Sequence, residues 1–199
     1  MGAEKKRLGA IQRQTKETNI DLEIFIDGSG ITDIECGVPF LNHMLTLFGV
    51  HGFFDLRVAA TGDTDIDDHH TVEDVGICLG QAFSKALGDK SGIARYGSAY
   101  LPMDETLVRV VVDMSNRPYI HYNAPVPDQK LGTFDTALAL EFMRAFAQHA
   151  GVTLHIDLIH GRNSHHIIEA VFKALARAMS QASAKLETLT GTLSSKGVL

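Results

Sequence analysis

The chain has 199 residues, enough for one large domain or two small fused ones. Hydrophobic residues make up 45% and charged residues 21%, the balance of an ordinary globular chain, which excludes a disordered one. A net charge of −6 with no long Lys/Arg cluster argues against a nucleic-acid partner, and no apolar run approaches the roughly 18 residues needed to cross a bilayer.

The opening residues, MGAEKKRLGAIQRQ, contain no apolar h-region, so no secretory leader is expected. Cys36 and Cys78 form neither a CxxC pair nor a disulfide framework, which points to reduced thiols and a cytoplasmic location. Cys78 falls in a helical apolar pattern and reads as a small core residue. Two strand-like runs follow, Ala10–Gln14 and Asn19–Asp27, the second with Ile20, Leu22, Ile24 and Ile26 on one face. Gly28-Ser29-Gly30 breaks it. Leu41, Leu45 and Phe48 predict a helix over Val38–Phe48, and Phe53–Ala60 reads as a strand. From His69 to Leu87 the apolar positions Val72, Val75, Leu79, Phe83 and Ala86 recur at helical steps, and Gly88 ends the helix.

The same order then returns. Ile93–Leu101 and Leu107–Met114 are strand-like, Pro125–Asp128 reads as a loop, Thr133–Ala150 as a helix and Val152–Ile159 as a strand. Asn163 and Ser164 offer an N-cap for a helix reaching about Leu186. Each half reads ββαβα, residues 1–92 and 93–199. The last helix of each half opens on the same signature, His69-His70-Thr71-Val72-Glu73 and His165-His166-Ile167-Ile168-Glu169, 96 residues apart. Duplication is the economical explanation. The fold class is α+β, with sheet on one side and helices on the other.

The doubled HHxxE carries the chemistry. Positions i and i+4 share a helix face, so His69 and Glu73 can grip one ion, and His165 and Glu169 another. His70 and His166 point about 100° away around the helix and suit the ion held mainly by the other half. Two crossed sets result: His69, Glu73 and His166; and His70, His165 and Glu169. Each wants one more ligand. His43 suits the second set, and Glu141, 98 residues further along, suits the first. Imidazole and carboxylate without thiolate favour Mn²⁺, with Fe²⁺, Co²⁺ or Zn²⁺ as substitutes. One histidine pair at a helix start is ordinarily a polar cap; two in register within a repeat make ligation the better reading. His51, His121, His149, His155 and His160 lack any such pattern, and His155 reads as a core or interface residue. Lys173, one turn beyond Glu169, lies on the ligand face.

In these motifs the chain resembles the imidazoleglycerol-phosphate dehydratase family: Arg13–Thr18 (RQTKET), Gly37–Leu45 (GVPFLNHML), Asp65–Asp74 (DIDDHHTVED), Leu101–Glu105 (LPMDE), Gly161–Glu169 (GRNSHHIIE) and Ser194–Leu199 (SSKGVL). The resemblance implies two units of the ribosomal-protein-S5-domain-2-like fold. It implies a 24-subunit cage with active sites between subunits, so that crossed ligand sets would close between chains. It implies two Mn²⁺ per site and a hydro-lyase of histidine biosynthesis that takes imidazole glycerol phosphate to imidazole acetol phosphate and water, through a metal-bound imidazolate and a diazafulvene-like intermediate. The catalytic set it implies is Glu17, His43, His69, His70, Glu73, His165, His166, Glu169 and Lys173, with Glu17 as acid/base at C2. Substrate contacts would come from Glu17, His69, His70 and Lys173, with Arg95, Arg117, Ser195 and Lys196 on the phosphate.

Three positions depart from the family's common pattern. Glu141 stands where a histidine is frequent, Asn42 where an aspartate often supports the next imidazole, and Leu193 where a proline often precedes SSKG. Two rivals from other classes are a binuclear phosphate-ester hydrolase and a metal-storing cage. Release or retention of phosphate separates the first from a lyase, and metal load per subunit separates the second.

Overall fold

The computed structural model describes residues 6–199; the first five residues of the leader reading lie outside them. The first half runs β1 (Leu8–Gln14), β2 (Thr18–Phe25), β3 (Thr32–Glu35), α1 (Pro39–Gly52), β4 (Asp55–Gly62) and α2 (His69–Leu87). The second runs β5 (Tyr96–Met103), β6 (Thr106–Asp113), β7 (Tyr119–Asn123), the short pair β8 (Lys130–Leu131) and β9 (Phe134–Asp135), then α3 (Leu138–Ala150), β10 (Thr153–His160) and α4 (Ser164–Ser183).

Two four-stranded sheets form, ordered β1-β2-β4-β3 and β5-β6-β10-β7. In each, the first three strands in space are antiparallel and the edge strand pairs parallel, β3 to β4 and β7 to β10. Each four-stranded sheet therefore holds one more strand than the ββαβα reading, and the second half adds the separate β8–β9 pair. A parallel neighbour requires a crossover, and α1 and α3 supply it.

The apolar alternation of β2 buries Ile20, Leu22 and Ile24 completely. Sheet one packs on α2 and sheet two on α4, while α2 packs on α3 and α1 on α4. Sheet beside helix thus holds within each half, and the whole chain is layered sheet, helices, sheet. A single apolar core runs through both halves. The closest approach is repeated: a Cβ on Gly9 in β1 would lie 1.8 Å from the Ala82 carbonyl oxygen of α2, and one on Gly97 in β5 would lie 1.9 Å from that of Ala178 in α4.

Several ends differ from the expected ones. α1 continues to Gly52 because Pro39 at its first turn starts it and only Phe53, left-handed at φ 58°, stops it. The helix expected from Thr133 begins at Leu138. Gly132, at φ 61°, turns the chain between β8 and β9, and the Asp135 carboxylate accepts the Ala137 N–H at 3.0 Å. α4 ends at Ser183, since Lys185 bridges to Ile93 instead of continuing the helix. His155 is exposed on the outer face of sheet two, its ring centroid 5.5 Å from that of His121, so it is not a core residue. Cys78 is a buried free thiol, as expected, and burial lifts it to about 11.

Candidate metal centre

Packing of helices across the halves brings candidate ligand residues of one half onto the other. α1 packs on α4, and His43 of α1 meets His165 and Glu169 of α4. Ligand atoms of these three residues all lie within 4.8 Å of one another. His165 Nε2 is 3.1 Å and His43 Nε2 3.4 Å from Glu169 Oε2. The i, i+4 spacing on α4 sets the first contact and helix packing sets the second. Among the described residues this is the one such group of three or more.

Glu169 has only 8% of its side chain exposed. Burial pushes its pKa up, but the Lys173 ammonium, His165 and His43 outweigh this and the net shift is downward. Lys173, one turn on, forms an ion pair with it. Lys173 thus lies on the same helix face as Glu169, as its spacing predicts.

The first half arranges its motif more openly. His69 Nε2 lies 3.7 Å from Glu73 Oε2, both side chains nearly half exposed. Glu141 shares with His69 the wall of a cavity of about 530 Å³ that also includes Asp68 and Lys130. Its carboxylate accepts from Arg144 at 2.5 and 2.8 Å, so an arginine holds it in place.

Adjacent histidines diverge as helix geometry requires: the ring planes of His69 and His70 meet at 81°, those of His165 and His166 at 82°. His70 Nδ1 is 3.0 Å from Asp63 Oδ2 and 3.9 Å from Glu17 Oε2. His166 Nδ1 is 2.8 Å from Glu105 Oε2. Hydrogen bonding to these acids, Asp63 first for one and Glu105 for the other, raises both imidazole pKa values. Glu105 is held down at about 2, by His166 first and then the Asn163 N–H. Neither crossed set closes within one chain: His70 does not join His43, His165 and Glu169, and His166 does not join His69 and Glu73 in such a group.

Asn163 caps α4 as expected, its side-chain oxygen accepting from the His165 N–H at 3.0 Å and the His166 N–H at 3.4 Å. Glu17 is exposed at the β1–β2 turn, lining a cavity of about 350 Å³ with Lys16 and Asp63. The Asn42 side chain makes no hydrogen bond to the His43 imidazole. It accepts from the Cys36 N–H and donates to Glu35, tying the approach to α1.

The phosphate candidates gather at one end of sheet two. Arg95 is left-handed at φ 69°, pairs with Asp113 at 2.7 and 3.1 Å and donates to the Leu193 carbonyl at 2.7 Å. Its donors are thus largely engaged, and it anchors the C-terminal tail. Arg117 is exposed, 3.7 Å from the same Asp113. Ser195 and Lys196 are exposed on the tail.

Asp63 and Glu105 escape the sequence reading. A signal for Glu105 was present, because the repeat makes it the counterpart of Glu17.

A family model described as "Imidazoleglycerol-phosphate dehydratase" matches residues 36–179. Curated proteins of that name from Desulfotalea psychrophila and Syntrophobacter fumaroxidans are 65% and 53% identical over 98% of both chains. The crystal structure of imidazoleglycerol-phosphate dehydratase from Staphylococcus aureus is 47% identical, with a TM-score of 0.82 over 90% of this chain and 99% of that one. The Pyrococcus furiosus structure, in complex with (S)-C348, is 40% identical, with a TM-score of 0.83 over 95% of this chain and all of that one.

Proposed function

This chain belongs to the imidazoleglycerol-phosphate dehydratase family, a family of hydro-lyases, and on that premise we propose that it dehydrates imidazole glycerol phosphate to imidazole acetol phosphate in histidine biosynthesis with the help of two Mn²⁺ per active site. The observation that carries the metal reading is the convergence of His43, His165 and Glu169, two imidazoles and a carboxylate drawn from both halves.

The donor set fits the ion. Imidazole and carboxylate suit Mn²⁺, while both thiols are buried and pushed up to about 11 by burial. His43, His165 and Glu169 would hold one ion, with His70 from another subunit; His69, Glu73 and Glu141 would hold the second, with His166 from another subunit. Such ions supply Lewis acidity and a template for substrate.

The chain's own groups do the rest. The reaction removes a proton from C2 and the hydroxyl from C3, and the enol formed becomes the ketone. Glu17, exposed beside His70, takes the C2 proton. Lys173 compensates the buried charge of Glu169. Arg117, Ser195 and Lys196 offer cationic and hydroxyl donors to the phosphate, and Arg95 holds the tail that carries two of them. The two free cysteines agree with a reducing, cytoplasmic setting.

Because the fourth ligand of each set would come from a neighbour, assembly into a 24-subunit cage is part of the proposal. Light scattering should show the particle shrinking when a chelator removes the ions. The reaction itself is tested by supplying imidazole glycerol phosphate and Mn²⁺ to the assembled protein. Ketone formation with phosphate retained is expected; release of inorganic phosphate would favour a hydrolase, and no turnover would refute the proposal.

A further inference from the structure

The internal repeat pairs residues whose present tasks differ. Glu17 and Glu105 are counterparts, each preceding the buried threonine that opens the second strand of its sheet, Thr18 and Thr106. Asp63 and Arg162 are counterparts too. Each follows a glycine that lies against that threonine: a Cβ on Gly62 would fall 3.4 Å from Thr18 Cγ2, in ordinary contact and with Thr71 Oγ1 nearer at 2.1 Å, and one on Gly161 would fall 2.6 Å from Thr106 Oγ1. Each also donates its backbone N–H to the facing glutamate, Asp63 to the Glu17 carbonyl at 3.1 Å and Arg162 to the Glu105 carboxylate at 3.3 Å.

Two equivalent corners thus face the second histidine of each pair, with the chemistry distributed differently. In the second half the residue after the glycine is an arginine, and Glu105 holds His166 Nδ1 at 2.8 Å. In the first half that residue is Asp63, which holds His70 Nδ1 with both oxygens at 3.0 and 3.2 Å, while Glu17 stands 3.9 Å away. We infer that Asp63 and Glu105 are positioning residues that fix the tautomer and ring direction of His70 and His166, and that Asp63 relieves Glu17 of that task so that its carboxylate stays free for proton transfer.

A carboxylate on Nδ1 keeps the proton there and leaves Nε2 as the free donor atom. Losing such a partner lowers metal affinity about ten- to a hundredfold. The inference rests on the reading of His70 and His166 as ligands and of Glu17 as the acid/base. One part of its test needs no metal.

The variants are Asp63→Ala and Glu105→Ala, with Asp63→Asn and Glu105→Gln as conservative versions that keep an acceptor. In the metal-free wild-type protein, ¹⁵N-histidine solid-state NMR should show His70 and His166 in the Nδ1–H form or protonated on Nδ1. Each alanine variant should lose that signature at its own histidine, and the amide variants should restore it. Mn²⁺ titration followed by electron paramagnetic resonance should show a ten- to hundredfold weaker site in the alanine variants and partial rescue in the amides. Asp63→Ala should also lower kcat more than Glu105→Ala, because Glu17 is then drawn onto His70. Unchanged tautomers in the alanine variants would overturn the positioning role. Intact tautomer control without any Mn²⁺ uptake by the wild type would instead overturn the two-ion reading and leave the positioning role supported.

Discussion

His43 and Glu169 lie 126 residues apart, one in each half of the chain, and meet with Nε2 3.4 Å from Oε2. The contact follows from helix exchange: α1 of the first half packs on α4 of the second, and α3 of the second packs on α2 of the first. Duplication alone gives two copies of a helix-borne motif; the exchange is what turns one copy into a three-donor cluster.

Glu17, proposed as the acid/base, lies outside the three-donor cluster. Glu17→Gln should therefore reduce kcat by about 10²- to 10⁴-fold while Mn²⁺ content stays at the wild-type level. Steady-state kinetics alongside metal analysis of the same preparation check this.

Lys173 compensates a nearly buried carboxylate. Lys173→Met should destabilise the metal-free protein by about 3 kcal/mol, since it leaves Glu169 without its cation. A divalent ion at Glu169 would replace that charge, so the rise in melting temperature on adding Mn²⁺ should be larger in the variant than in the wild type. Thermal unfolding with and without Mn²⁺ measures both effects.

Lys90 is 2% exposed, its Nζ donating to Asn116 Oδ1 at 2.5 Å. Burial pulls its pKa from 10.5 to about 8, against the attraction of Asp113. Between these values the unfolded chain binds more protons than the folded one, so this group adds stability as pH rises from 8 to 10.5, by up to about 3 kcal/mol. Below pH 8 both states are charged and the burial cost is felt in full. Denaturant unfolding across this range should show a steeper rise, or a shallower fall, for the wild type than for Lys90→Met, in which other titrations remain.

Gly97 lets β5 lie against α4, and the Cβ of Gly97→Ala would fall 1.9 Å from the Ala178 oxygen. Backbone must move on one side, and overpacking of this kind costs about 1–3 kcal/mol. The expected loss appears as a lower urea midpoint, and Gly9→Ala should match it, because α2 meets β1 in the same way.

Much of this was legible in the residues. The steps of three and four in Val72–Ala86 and Ile168–Met179 set α2 and α4, and HHxxE set which face of each carries ligands. β3 and β7 were not legible. Thr32–Glu35 has one apolar residue, Ile34, and Tyr119–Asn123 alternates only between exposed and half-buried positions. Both are edge strands whose parallel partners lie beyond a helix, so nothing local marks the pairing. The start of α3 was missed because Phe134 is apolar at helical spacing from Leu138, yet its ring packs on Phe40, 4.9 Å between centroids, from a hairpin. The grouping of His43 with His165 and Glu169 was visible from the repeat. The joining of His70 and His166 to those sets, also read from helix geometry, is not formed within the chain, where their rings turn to Asp63 and Glu105.

The account is tested most directly by stripping the assembled protein of metal, titrating Mn²⁺ back, and following bound ion and turnover of imidazole glycerol phosphate together in the wild type and in His43→Ala. It predicts no turnover without metal, recovery as two ions per site bind, and one weakened ion in the variant. Full turnover after complete metal removal, or two unaltered ions in His43→Ala, would contradict it.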